Sequence, residues 1–94
     1  MYKVYKYTNQ INGKIYIGQT CQTLEARAEG GSGYKGCTHF YRAIQKYGWN
    51  SFDVEILKDD LTLDEANYWE EYYISYYDSA NDDFGYNIRL GGSN

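Results

Sequence analysis

Two short runs near the start of the chain have the hydrophobic spacing of strands. Tyr2 to Thr8 (YKVYKYT) interleaves Tyr and Val with Lys, and Ile15 to Gly18 (IYIG) is a second β-rich run. Alternation with a period of two is how a half-buried strand reads. Between the runs, Asn12-Gly13 suits a tight turn because both residues tolerate positive φ. The pattern predicts an N-terminal antiparallel hairpin. Thr23 then caps a short helix over LEARAE, which Gly30 and Gly31 stop. GGSGYKG, four of whose seven residues are Gly, is expected to be flexible. Thr38 is the expected N-cap of a second helix, HFYRAIQKY. There Phe40 or Tyr41, Ile44 and Tyr47 share a face, and Gly48 terminates it.

Phe52 to Lys58 (FDVEILK) alternates again, with Phe52, Val54 and Ile56 on one side, and predicts a third strand. Thr62 and Glu65 form a T-x-x-E capping box ahead of the last helix, ANYWEEYYISYY. At 100° per residue, Ala66, Trp69, Tyr73 and Tyr77 make one stripe. Glu70 falls within about 40° of that stripe's centre, while Glu71 points away. A carboxylate on an inward face is costly unless a cation, a metal or a catalytic role offsets it, so function and a structural ion pair both remain open. Tyr68, Tyr72 and Tyr76 line another face, read as packing or a self-association surface. The order is β-β-α-α-β-α in one α+β domain, with neither repeats nor an internal boundary across 1–94.

Composition changes this picture in two ways. Thirteen Tyr and two Trp in a chain without Pro exclude disorder, because tyrosines build a core while keeping hydroxyls for hydrogen bonds. The formal net charge of −4 argues against a nucleic-acid partner until its distribution is considered. Residues 1–50 hold seven Lys and Arg against two acids; residues 51–94 hold two against eleven. Cys21 and Cys37 are read as reduced thiols rather than a disulfide framework, and with His39 they make a poor zinc set. No apolar run approaches the ~20 residues of a membrane span, and a cytoplasmic location is expected.

The positions singled out fall in a distinctive order. Lys3-Val4-Tyr5 and Tyr16-Ile17-Gly18 lie on the hairpin and Arg27 on the first helix. FYRAIQKYGWNSFDVEIL follows, then Glu70 on the acidic last helix and GYNIRLGG from Gly85. This ordered set resembles the GIY-YIG nuclease family over nearly all of the chain, with KVY standing where the family usually has Gly-Ile-Tyr. The resemblance implies a small three-stranded antiparallel sheet flanked by helices and metal-dependent hydrolysis of double-stranded DNA. It further implies Tyr5, Tyr16, Arg27, Glu70 and Asn87 as the site. Glu70 would hold one Mg²⁺ or Mn²⁺, a hard cation suited to oxygen ligands. Arg27 would clamp phosphate oxygens, Tyr5 would act as general base, Tyr16 would hydrogen-bond the phosphate and Asn87 would fix the geometry.

Lys14, Lys35 and His39 are candidate phosphate contacts. Many members carry a His one turn after the Arg, where this chain has Gly31; His39 either substitutes as a relay from Tyr5 or simply starts a helix. A separate recognition module or partner protein is expected to supply sequence specificity. Two rivals are a non-catalytic interaction module on the same fold and a structure-selective repair nuclease domain needing a partner.

Overall fold

The computed structural model describes residues 1–88, so Arg89 to Gly92 of the GYNIRLGG motif lie outside the described residues. Strands β1 (Tyr2–Asn9), β2 (Ile15–Thr20) and β3 (Phe52–Leu61) form one antiparallel sheet in the order β2-β1-β3. Helices α1 (Leu24–Ala28) and α2 (Thr38–Tyr47) precede β3, and α3 (Leu63–Tyr77) follows it. The order β-β-α-α-β-α is the one expected. Among the described residues, no helix is long and apolar enough to cross a membrane.

The period of two on β1 sends successive side chains into different layers. Tyr5 and Tyr7, with Tyr16 from β2, face α2, where Phe40 stacks on Tyr16 at 4.2 Å and meets Tyr34 edge-on at 4.9 Å. Val4 and Ile17 face the other way onto Ala66 and Ile74 of α3. The anticipated stripe Trp69, Tyr73 and Tyr77 borders this second layer. α3 begins with the capping box, Thr62 Oγ1 accepting from the Glu65 amide at 3.2 Å and Glu65 Oε1 from the Thr62 amide at 2.9 Å.

Four local expectations need correction. The hairpin loop is longer than a two-residue turn: the Asn9 amide donates to the Lys14 carbonyl, and Gly13 rather than Asn12 takes positive φ, +78°. Asn12 Oδ1 instead accepts from the Lys14 amide at 2.9 Å. GGSGYKG is not a loose tether, since Glu29–Tyr34 winds into a 3-10 turn through positive φ at Gly30 and Gly31. Cys37, not Thr38, is the N-cap of α2 and makes no side-chain cap bond; its Sγ lies 3.3 Å from the Tyr16 hydroxyl instead. The face Phe52, Val54, Ile56 is buried only at its start: Val54 and Ile56 are over 40% exposed, beyond the reach of the five-residue α1. A bulge between Ile56 and Lys58 then turns both Leu57 and Lys58 toward α3, Lys58 lying 4.3 Å over the Trp69 ring.

The outer edge of β2 is closed by the chain beyond α3. The Ile15 amide donates to the Phe84 carbonyl and the Ile15 carbonyl accepts from the Tyr86 amide, a short parallel bridge that brings Gly85 against the Ile15 and Ser79 backbone where a Cβ has no room. Asn87 continues the ladder with its side chain. Its Oδ1 accepts from the Ile17 amide and its Nδ2 donates to the Ile17 carbonyl, both at 2.8 Å, while Ser79 Oγ donates to the same Oδ1 at 2.7 Å. Asn87→Ala would leave the buried peptide groups of Ile17 unpaired and is expected to cost about 3 kcal/mol. Asn87→Asp keeps the acceptor but sets a buried carboxylate oxygen against the Ile17 carbonyl and should lose at least as much; urea unfolding midpoints of the two variants check this.

Candidate active site

Cross-strand register sets the centre of the site. Tyr5 pairs directly with Gly18, and a Cβ at position 18 would sit 2.5 Å from the Tyr5 hydroxyl. The glycine of the YIG run is thus the space in which the phenol lies. Tyr16, two residues earlier on the same face, is stacked on Phe40 with its hydroxyl 3.3 Å from Cys37 Sγ. Both cysteines are free thiols, as expected.

Arg27 comes from the last turn of α1, whose start is capped by Thr23 Oγ1 accepting from the Ala26 amide at 3.1 Å. The glycine turn folds back so that the Gly33 carbonyl accepts from Arg27 Nη1, and Gly33 packs against the Arg27 backbone too closely for any Cβ. The guanidinium lies 4.3 Å over the ring of Tyr34. Tyr34 is fully buried and its hydroxyl donates to that of Tyr5 at 2.9 Å. The sequence reading missed this residue: one Tyr among thirteen, in a stretch read as flexible, carries no periodic signal. Position 31 disfavours any side chain. Gly31 has φ +103°, and a Cβ there would press on Ile44 and Trp49 at 3.1–3.2 Å. The hydroxyl of Tyr34, three residues later, is the group beside Tyr5.

Burial dominates the protonation of this cluster. It pushes Tyr5 up to about 12, against the donated hydrogen bond from Tyr34 and the charge of Arg27, which pull it down. Tyr16 is raised well above the ordinary phenol range by burial and the neighbouring Cys37. Both phenols are neutral at physiological pH in the free protein.

Glu70 arrives from the opposite layer. It is 3% exposed, and Gln19 Nε2 donates to its Oε1 at 3.3 Å. Among the described residues no Lys or Arg pairs with it. Burial pushes its carboxyl up to about 7, with the Gln19 hydrogen bond opposing. Gln19 Nε2 also donates to Asn67 Oδ1 at 2.6 Å, while Gln19 Oε1 is buried without a partner. Gly18 and Gln19 are successive residues, so their peptide joins the phenol–guanidinium layer to the carboxylate layer at the edge of β2. Among the described residues, no group of three or more His, Cys, Asp or Glu stands ready to hold a metal.

The candidate phosphate contacts divide. Lys14 and His39 line one concavity of about 270 Å³ with Arg42, Asp82 and Tyr86, and His39 Nδ1 lies 3.8 Å from Asp82 Oδ1. Lys35 is exposed elsewhere, at the end of the glycine turn.

A model of the GIY-YIG catalytic domain matches residues 1–87. The chain belongs to the GIY-YIG catalytic-domain family. It is 38% identical over 90 residues to Putative endonuclease segE of Enterobacteria phage T4, covering 95% of this chain and 41% of that protein. It is 36% identical over 98 residues to Putative endonuclease segB of the same phage, covering 97% and 39%. The chain therefore spans about two-fifths of the length of these relatives. In fold it matches the catalytic domain of the homing endonuclease I-TevI, with a TM-score of 0.75 at 23% identity over 96% of this chain and all of that one. The GIY-YIG fold accommodates KVY here because the position that meets Gly18 is still Tyr5.

A carboxyl whose folded pKa lies above its unfolded value holds its proton more tightly when folded. Its effect on stability is absent below about pH 4.5, where both states are protonated, and unfavourable above about pH 7. In EDTA, the wild type should lose on the order of 3 kcal/mol from this group as pH rises through that window. Glu70→Gln should be insensitive there and more stable at pH 8, as measured by urea denaturation across pH 5–8.

Proposed function

We propose that this domain is a DNA endonuclease that hydrolyses phosphodiester bonds with the help of one divalent cation. The observation that carries the reading is Glu70, a buried carboxylate that has no cationic partner among the described residues and is hydrogen-bonded to Gln19, the residue after the Gly18 on which Tyr5 packs. A phosphodiester is anionic and repels a nucleophile, so its hydrolysis needs positive charge and a positioned proton acceptor.

The residues at Glu70 suit a hard cation. The carboxylate and the unpartnered amide oxygen of Gln19 are oxygen donors of the type Mg²⁺ or Mn²⁺ takes, and such ions use few protein ligands. When bound, the ion supplies charge neutralisation at the phosphate and favours an ionised nucleophile. Glu70 would hold it, and ion binding is the natural route by which a carboxyl raised to about 7 becomes fully ionised.

Arg27 grips the non-bridging phosphate oxygens. One guanidinium nitrogen is spent on Gly33 and one face lies on Tyr34, so the fork is held rigidly with its remaining N–H groups available. Tyr5 takes the proton of the attacking water as a phenolate. Tyr34 donates to its oxygen and Arg27 adds positive charge, and both favour that ionised form. Tyr16 offers a hydroxyl to the phosphate, and Asn87 holds the strand edge at Ile17 on which Tyr16 and Gly18 are mounted. Lys14 and His39, joined by Arg42, are assigned to flanking DNA phosphates, and Lys35 to a separate backbone contact. Sequence recognition falls to a further module or a partner protein, and the site of action is intracellular DNA.

Supercoiled plasmid incubated with Mg²⁺, Mn²⁺ or EDTA tests the assignment. Nicking should require the metal, and Glu70→Ala, Arg27→Ala and Tyr5→Phe should each slow it by about 100-fold or more. Equal cleavage by wild type and Glu70→Ala would sink it. Tyr34→Phe should slow cleavage less and shift its pH profile upward, since Tyr5 loses the hydrogen bond that favours its phenolate.

A further inference from the structure

We propose that Gln19 completes the cation site of Glu70, its side-chain oxygen being the second protein oxygen offered to the ion. This rests on the reading of Glu70 as the cation-binding carboxylate. The starting observation is an unfulfilled acceptor. Gln19 Oε1 is the one buried side-chain oxygen or nitrogen without a hydrogen-bond partner among the described residues. Buried polar atoms are almost always paired, so an orphan beside a lone carboxylate marks a place where something binds.

The orientation of the amide is dictated by its neighbours. Asn67 Oδ1 at 2.6 Å and Glu70 Oε1 at 3.3 Å are both acceptors, so the Gln19 nitrogen faces them and the oxygen is left over. Nothing among the described residues uses that oxygen: Gln19 pairs with Val4 through its backbone, and its side chain stands near the end of β2. The bond to Glu70 is also the longer of the two, so the amide is anchored on Asn67 and more weakly tied to the carboxylate. To hold an ion together with Glu70, Gln19 would turn its amide so that Oε1 replaces Nε2 beside the carboxylate, giving up the hydrogen bonds of Nε2 to Glu70 and Asn67.

A neutral second ligand has a chemical consequence. One carboxylate and one amide leave a divalent ion with a net positive charge, which the incoming phosphate neutralises. A second carboxylate would bind the ion more tightly and attract the phosphate less. Gln19 is thus a compromise between holding the cation and presenting it.

Mn²⁺ titration of the 94-residue protein, followed by the electron paramagnetic resonance of the free ion, tests this without reference to cleavage. Wild type should bind one Mn²⁺, and Glu70→Gln should abolish binding. Gln19→Ala should weaken it about tenfold, and Gln19→Glu should tighten it by a similar factor while slowing plasmid nicking. If both Gln19 variants bind within twofold of wild type while Glu70→Gln binds nothing, Gln19 is idle and the Glu70 reading stands. If Glu70→Gln binds as wild type does, both readings fall. Should Gln19→Ala not fold, as judged by circular dichroism, Gln19→Glu alone decides, because absence of tightening overturns the proposal.

Discussion

A missing carbon atom at position 18 governs the arrangement of this domain. Antiparallel register places Tyr5 opposite Gly18, and the phenol occupies the volume any other residue's Cβ would fill. That contact fixes where the Tyr5 hydroxyl sits, which in turn fixes Tyr34, the platform for Arg27. A side chain at 18 would therefore displace a phenol, a hydrogen bond and a guanidinium together. The register that creates the contact is held from outside by Asn87, whose side chain does for Ile17 what a fourth strand would do. A ten-residue excursion from α3 to Asn87 thus supports a site most of whose groups come from the first 34 residues.

The choice of tyrosine as the principal core residue follows from the same constraint. A leucine layer would pack as well between sheet and α2, but it could not carry a hydroxyl from the centre of the layer to its edge. Tyr16 does both, stacking on Phe40 while its oxygen meets Cys37. The cost is that each phenol is held neutral by burial. Arg27 opposes that burial at Tyr5, Tyr7 and Tyr34, and Tyr5 in addition receives the hydrogen bond of the Tyr34 hydroxyl.

What was legible in the sequence divides along physical lines. Period-two and helical patterning reports burial, and it located the three strands and three α-helices of the described residues; the Thr62–Glu65 box located the start of α3 to the residue. Glu70 was visible because helical geometry turned it inward among aromatics. The glycine turn was misread because glycine is ambiguous from sequence: the same residues that permit flexibility also permit the positive φ at Gly30 and Gly31 that kinks this segment. Tyr34 and Gln19 were illegible for a different reason. The Tyr34 hydroxyl meets Tyr5 and the Gln19 amide meets Asn67 and Glu70, partners distant in the chain, and neither periodicity nor motif spacing encodes such pairs. The outward drift of Val54 and Ile56 reflects tertiary cover, since alternation says which residues share a face but not whether a helix reaches it.

The charge balance takes on a different meaning once burial is known. Twelve of the thirteen acidic residues are exposed, and only Glu70 is buried. Exposed carboxylates repel a DNA backbone weakly at physiological salt, because ions screen charges beyond about 8 Å. A buried carboxylate is not screened in that way, and its effect depends on what stands beside it. Net charge sums these two kinds of acid as equals. The acidic half of the chain contributes a solvated surface and one desolvated carboxylate, Glu70. Placing it across the sheet from Arg27 keeps the carboxylate from pairing with the guanidinium. Had the two shared a layer, they would have neutralised each other, leaving neither available to a cation or a phosphate.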